Sequence, residues 1–94
     1  MSVLEREIEA KLREMVEERG GMCLKWTCPG WAGVPDRIVL LPGGRIAFVE
    51  LKKPDGGRVS GRQRWWGQKL QAIGFRWFLV KDEMGLKRFE EAML

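Results

Sequence analysis

Three side chains with the chemistry of a metal-assisted hydrolase lie close together in the sequence. Pro35 precedes Asp36, and Glu50 and Lys52 follow at intervals of fourteen and then two residues. Two carboxylates and an amine suit a hard divalent cation, since Mg²⁺ takes oxygen ligands, keeps several waters and is usually held by one or two carboxylates plus substrate phosphate. The spacing also allows a simpler interpretation, in which Glu50 and Lys52 form an ion pair where a strand ends in solvent.

The residues around Glu50 predict a strand that is covered on both faces. With the two-residue period of a strand, apolar side chains occupy both faces as far as Val49, and Glu50 and Lys52 then share one face with Phe48. A charge on a buried strand is costly unless it is paired or binds a metal. The position of Glu50 therefore calls for a partner.

A predicted hairpin brings the two carboxylates to one end of a sheet. The strand 37–41, the tight turn 42–44 and the strand 45–52 form an antiparallel pair. Asp36 begins the first strand and Glu50 ends the second, so antiparallel pairing places them side by side. Paired strands are only about 4.8 Å apart, which allows both carboxylates to reach one ion.

The rest of the chain predicts helices and one further strand. Apolar residues at helical spacing predict a helix over 3–19, with Ser2 as a possible N-cap, followed by a strand over 22–26. Ser60 and Gln63 form a capping box that begins a second helix ending at Gly74. A strand over 75–80 and a short terminal helix over 84–94 complete the chain.

These elements give the order αβββαβα. A helix between the third and fourth strands permits a parallel crossover, so we expect an α/β fold with a mixed central sheet flanked by helices. The 94 residues are enough for a single domain, 1–94, with one core.

Composition excludes several classes of active site. The chain has no histidine, so neither a Ser-His-Asp triad nor a Cys-His pair is available. Two cysteines, Cys23 and Cys28, are too few for a zinc site without histidine and are expected to be reduced. No apolar run reaches the roughly 18 residues of a membrane span, and the N-terminus is unlike a signal peptide. We therefore expect no membrane association and a cytoplasmic protein.

Positive charge is concentrated after Lys52. The net charge of the chain is +4, and residues 52–69 hold six lysines and arginines against the single acidic residue Asp55. This distribution indicates a face that meets anions, of which nucleic acid phosphates are the commonest, although basic solvated faces are also common.

Several short motifs follow one another in a fixed order over nearly the whole chain. They are Glu5-x-x-Ile8-Glu9, Gly20-Gly21 with Lys25, Gly33-Val34-Pro35-Asp36-Arg37, Pro42-Gly43-Gly44, Phe48-Val49-Glu50-Leu51-Lys52 and Gln63. In this combination the chain resembles the VRR-NUC branch of the PD-(D/E)XK nucleases, especially the small stand-alone phage-type members. The resemblance implies a restriction-endonuclease-like core.

The resemblance also implies roles for individual residues. Asp36 and Glu50 would hold Mg²⁺, for which Mn²⁺ would substitute, and the backbone carbonyl of Leu51 would add a third oxygen. Lys52 would orient or deprotonate the attacking water, and the residue types leave both roles open. Gln63 would also lie at the catalytic site. From the first helix we expect Glu9, with Glu5, one turn earlier on the same face, as the alternative.

The implied activity is a Mg²⁺-dependent DNA endonuclease that hydrolyses phosphodiester bonds. Like Holliday junction resolvases, it would be a homodimer that selects branched DNA, in the cytoplasm of a bacterial or phage-infected host cell. The residues predicted to contact DNA phosphates are Lys25, Arg37, Lys53, Arg58, Arg62 and Arg64. The alternative is a nucleic-acid-binding module with a nuclease-like fold and little or no turnover.

Overall fold

A computed structural model describes residues 3–94, which form three helices and one four-stranded sheet. The helices are α1 (Val3–Glu18), α2 (Gly61–Ala72) and α3 (Glu83–Met93), and the strands are β1 (Met22–Lys25), β2 (Arg37–Leu41), β3 (Arg45–Leu51) and β4 (Arg76–Val80). The predicted order αβββαβα is confirmed. Ser2, the predicted N-cap of α1, lies outside the described residues.

The sheet is mixed, as expected for a helix inserted between its last two strands. Its order is β1-β2-β3-β4; β1 pairs with β2 and β2 with β3 antiparallel, whereas β3 and β4 are parallel. Gly43 and Gly44 make the turn between β2 and β3 with φ of 86° and 73°. Glycine adopts this left-handed conformation without steric cost, so the turn keeps the two strands in close register.

Two helices cover one face of the sheet. Buried side chains of α1 and α3 pack against alternate residues of the strands, and the largest of them, Phe89, is fully buried. In β3 this face carries Ala47, Val49 and Leu51. The alternation predicted for this strand therefore holds, and it turns Phe48 and Glu50 toward the opposite face.

Helix α2 covers part of that opposite face and begins as the sequence predicted. The Ser60 side chain accepts a hydrogen bond from the Gln63 backbone N–H, and the Gln63 side chain accepts one from the Ser60 N–H. Aromatic rings fill the space between helix and sheet, with Trp26 lying 5.3 Å from Phe48 and 5.7 Å from Trp66 between ring centroids. The N-terminal end of α2 is thereby fixed over the end of β3.

Some boundaries and burial predictions differ from the structure. Strand β3 ends at Leu51, one residue earlier than predicted, although the backbone N–H of Lys52 still donates to the carbonyl of Val80 at 3.1 Å. The second helix also ends earlier than predicted: Ala72 is its last residue, and the C-cap residue Ile73 is 58% exposed. No helix among residues 3–94 combines the length and hydropathy needed to cross a membrane.

Candidate active site

The hairpin brings Asp36 and Glu50 together at one end of the sheet. The last pair between β2 and β3 is Arg37 with Val49, so Asp36 and Glu50 each lie one residue beyond it. Alternation along both strands turns their side chains to the face opposite that of Val49. The geometric prediction from the sequence is confirmed: the two carboxylates are neighbours.

Asp36 is held in place by backbone hydrogen bonds on both sides. Its Oδ2 accepts a hydrogen bond of 2.7 Å from the backbone N–H of Leu51, and its own carbonyl accepts one of 3.0 Å from the N–H of Trp26. The preceding residue, Pro35, is fully buried. A fixed backbone dihedral at a buried proline, together with two hydrogen bonds, restricts the carboxylate to a narrow range of positions.

Glu50 is buried in the core, with only 1% of its surface exposed. Its Oε2 accepts a hydrogen bond of 3.0 Å from Gln63 Nε2 and lies 3.9 Å from Lys52 Nζ. Its Oε1 is buried and, in the ionised form, accepts no hydrogen bond from residues 3–94. A buried carboxylate oxygen without a partner is costly, so this atom is available to a ligand with positive charge or a donor group.

The surroundings of Glu50 favour its protonated form in the chain without a bound ion. Burial raises the pKa of Glu50 from 4.5 to about 8. The hydrogen bond with Asp36 and the negative charges of Asp36 and Glu5 also raise this pKa, whereas the positive charge of Lys52 lowers it. Two carboxyl groups this close cannot both be ionised without a compensating positive charge. A cation between them would supply that charge.

Helix α1 was expected to place Glu9 at the carboxyl pair, but Glu9 binds an arginine of β2. The carboxylate of Glu9 is bound by Arg37, at 2.9 Å from Nη2 and 3.0 Å from Nε, and both side chains are mostly buried. Arg37 lies on the α1 face of the sheet, opposite to Glu50. The Glu9 carboxylate therefore does not contact Glu50, although Glu9 and Asp36 line the same cavity. The charge of another α1 residue, Glu5, contributes to raising the pKa of Glu50.

The predicted basic residues fall into two groups. Lys25 and Arg37 line a cavity of about 380 Å³ beside Asp36. Arg37 already donates hydrogen bonds to Glu9 and to the carbonyl of Cys23. These contacts stabilise the cavity wall and leave Arg37 fewer donor groups for a bound phosphate. The other four predicted residues are exposed on the segment after β3 and the first turn of α2; they are Lys53, Arg58, Arg62 and Arg64.

Other nucleophiles and metal-ligand sets are not favoured by the described part of the chain. Cys23 and Cys28 are free thiols, and burial raises the pKa of Cys23 to about 11, which keeps it protonated. Among residues 3–94 no three His, Cys, Asp or Glu side chains form a group that could hold a metal. A metal at Asp36 and Glu50 would thus need backbone, water or substrate oxygens as well.

The fold and the sequence are both similar to those of known proteins. No family model matches the chain. A solved structure described as "VRR_NUC domain" superposes with a TM-score of 0.90 at 27% identity, over 99% of this chain and 100% of that one. "Putative nuclease p44" of Acyrthosiphon pisum secondary endosymbiont phage 1 is 48% identical over 84 residues, which are 89% of this chain and 88% of the relative. The chain belongs to the VRR-NUC nuclease family.

In this VRR-NUC chain the residues expected from the resemblance form one connected group. Asp36, Glu50, Lys52 and Gln63 are joined directly or through the backbone of Leu51. The catalytic roles of these residues, and that of Glu9, remain predictions. The pairing of Glu9 with Arg37 could not be predicted from the sequence, because it joins residues 28 positions apart.

The raised pKa of Glu50 predicts how pH changes the stability of the metal-free protein. Because this pKa is higher in the folded chain than in the unfolded chain, its stabilising contribution is present below about pH 4.5 and is lost as pH rises toward 8. Glu50→Gln resembles the protonated acid at every pH. The unfolding free energy of Glu50→Gln minus that of the wild type should therefore increase between pH 5 and 8. The increase is about 1.4 kcal/mol for each unit by which the pKa of Glu50 differs between the folded and unfolded chain.

Urea unfolding followed by tryptophan fluorescence, with chelator present, measures this difference. Glu91→Gln, which changes an exposed carboxylate on α3, is the matched control. A difference between wild type and Glu50→Gln that stays constant from pH 5 to 8 would contradict the assignment of a buried, proton-binding carboxyl at this position.

Proposed function

We propose that this VRR-NUC chain is a metal-dependent DNA endonuclease that hydrolyses phosphodiester bonds. The observation that carries the proposal is the pairing of buried Glu50 with partly exposed Asp36: one Glu50 oxygen accepts no hydrogen bond from residues 3–94, and Lys52 lies beside the other. Membership of a nuclease family makes phosphodiester hydrolysis the natural use of such a pair. The related phage nuclease supports the same conclusion.

The residues present fit a hard divalent cation. Glu50 Oε1 accepts no hydrogen bond from residues 3–94, and burial beside Asp36 raises the pKa of this carboxyl, which nearby positive charge would lower again. Mg²⁺ would be held by Asp36, Glu50 and the carbonyl oxygen of Leu51, with Mn²⁺ as a substitute, and waters and a substrate phosphate would complete the oxygen set. When bound, such an ion supplies Lewis-acid stabilisation of the phosphate charge and a more acidic water.

The side chains around the carboxyl pair have distinct tasks. Lys52 lies 3.9 Å from Glu50 Oε2 and is about one-fifth exposed, so its amine can contact both the site and solvent. It positions the attacking water or removes its proton, and it adds positive charge near the phosphate. Gln63 fixes Glu50 through its amide N–H. Glu5 and Glu9 border the site from α1.

The proposed substrate is branched DNA such as a Holliday junction. Exposed arginines next to the site, Arg58, Arg62 and Arg64, suit phosphate contacts, which position a nucleic acid without reading its sequence. The proposed setting is the cytoplasm of a bacterial or phage-infected cell.

We further propose that two copies of the chain act together. Edge strand β1 exposes Met22 and Leu24 on the face opposite the α1–α3 core, at 54% and 39% of their surface. Exposed apolar side chains on a regular sheet face favour burial against a second protein surface. A second copy related by twofold symmetry would cover the same patch on both partners and present two sites to a branched substrate.

Substitution of the carboxyl cluster should remove cleavage but spare binding. Asp36→Asn is expected to abolish Mg²⁺-dependent cleavage, and Lys52→Ala to lower the rate by about 10²- to 10⁴-fold. Asp55→Asn, which changes an exposed carboxylate in the following loop, should cleave like the wild type. The measurement is gel analysis of a four-way junction, flap, splayed arm, linear duplex and single-stranded RNA, with Mg²⁺, Mn²⁺ or chelator.

Each outcome of this panel separates one part of the proposal. Preferred cleavage of the junction would support selectivity for branched DNA, and equal cleavage of the linear duplex would contradict it. Cleavage of RNA alone would contradict the assignment of DNA as the substrate. Binding without turnover in any metal would identify a nucleic-acid-binding module. Near-normal turnover by Asp36→Asn, with contaminating nuclease excluded, would show that the site is elsewhere.

The exposed arginines should determine the salt dependence of DNA affinity. Each phosphate contact adds about 0.9 to the slope of log affinity against log salt concentration, so the double variant Arg58→Ala/Arg64→Ala should reduce that slope by about two. Fluorescence anisotropy in chelator measures it at several salt concentrations. The double variant Lys87→Ala/Arg88→Ala, on exposed positions of α3, is the control. Equal slopes for all three proteins would place DNA on another surface.

The proposed dimer should depend on the exposed face of β1. Leu24→Glu introduces a charge into that face and is expected to convert a dimer to a monomer in sedimentation velocity experiments. Met84→Glu alters an apolar residue on α3 that is more exposed, at 63%, and should leave the dimer intact. A wild-type protein that sediments as a monomer at tens of micromolar would exclude this assembly.

A further inference from the structure

A second cavity lies at the N-terminal end of α2, apart from the carboxyl pair. It has a volume of about 320 Å³ and is lined by Trp31, Gly61, Arg62 and Trp65. Both tryptophans are unusually open for their size, with 54% and 46% of their surface exposed. Aromatic residues placed at the surface around a concavity favour a planar ligand that buries them.

The walls of this cavity are held before any ligand binds. The indole N–H of Trp66 donates a hydrogen bond of 3.0 Å to the carbonyl of Ala32, which fixes the loop that carries Trp31. The rings of Trp31 and Trp65 each contact Trp66, at centroid distances of 5.7 Å and 5.3 Å. A preformed wall reduces the entropy lost when a ligand is bound.

The same loop packs closely against Arg62. Gly33 has φ of +82°, and a Cβ atom at this position would lie 2.4 Å from Arg62 Cγ. Glycine is therefore required for this contact, which fixes the stem of the arginine along the cavity. None of the four lining residues is acidic, and one carries a positive charge. The cavity thus combines aromatic surface with attraction for an anionic ligand.

A residue that lines the cavity is next in sequence to a residue that binds the carboxyl pair. Arg62 precedes Gln63, whose side chain donates to Glu50 at 3.0 Å. Neighbouring Cα atoms are only about 3.8 Å apart, so a DNA strand lying along the first turn of α2 would pass both sites. A nucleotide has the required chemistry, because its base has a planar face and its backbone carries negative charge.

We propose that this cavity binds one unpaired nucleobase of the DNA strand that is cleaved at Asp36 and Glu50. The base stacks on Trp31 or Trp65, and Arg62 contacts an adjacent phosphate. The inference rests on the proposed nuclease function and adds a feature to it: the strand must offer a base that is not paired, as single-stranded segments and branch points do and an intact linear duplex does not.

Affinity for two matched oligonucleotides tests the cavity without any need for turnover. Both are single-stranded and of equal length and charge, one carrying thymine throughout and the other with abasic sugars at its central positions. In chelator, the wild type and Asp36→Asn are expected to bind the thymine-bearing strand about 5- to 150-fold more tightly. Trp31→Ala and Trp65→Ala should each lower this ratio, Trp31→Phe should keep it, and Met84→Ala should leave it unchanged.

Equal affinity of the wild type for both strands would overturn the inference, as would a preference that both tryptophan-to-alanine variants retain. Cleavage of the four-way junction by the same wild-type preparation is measured in parallel. Cleavage of the junction without a preference for the thymine-bearing strand would contradict only the base-binding role of the cavity, and the proposed nuclease function would still hold. A base preference without cleavage in Mg²⁺ or Mn²⁺ overturns the proposed function, and with it the assignment of the cavity to a strand undergoing cleavage.

Discussion

The burial of one carboxyl group, that of Glu50, is the constraint on which the rest of the site depends. Only 1% of this residue is exposed, and it lies on β3, one of the two inner strands of the sheet. Moving a carboxylate out of water is costly, and a nonpolar residue at this position would remove that cost. The chain instead surrounds Glu50 with an amide, an amine and a second carboxyl, and one of its ionised oxygens accepts no hydrogen bond from residues 3–94. This arrangement costs stability unless positive charge is supplied nearby.

Gln63 connects the stability of a helix to the geometry of that site. Its side-chain oxygen accepts the Ser60 N–H in the capping box, while its side-chain NH₂ donates to Glu50. Glutamate can perform the first task, because a carboxylate also accepts hydrogen bonds, but it cannot donate when ionised and would add a third negative charge. The amide is thus the side chain that satisfies both demands. Movement of the first turn of α2 would change the cap and the orientation of Glu50 together.

The sequence predicted those features that depend on local patterns. The turn at Gly43 and Gly44 and the alternation along β3 determine the register, and the register alone places Asp36 beside Glu50. The choice between Glu5 and Glu9 depends instead on how α1 is rotated against the sheet. Helical spacing puts both on similar faces, and the Arg37 side chain that pairs with Glu9 comes from a distant strand. The spacing of apolar residues in a helix does not indicate such a pairing with a residue distant in sequence.

The aromatic residues extend the core to the loop that precedes Asp36. Contacts run from Phe48 on β3 through Trp26 to Trp66, which holds the loop at Ala32. Because this loop ends in a buried proline directly before Asp36, the same packing that orders its middle also limits the movement of the carboxylate. The loop therefore positions an acid at one end and Trp31 near its centre. Its rigidity determines the distance between the carboxyl pair and the aromatic cavity, which is the spacing that a bound strand would have to match.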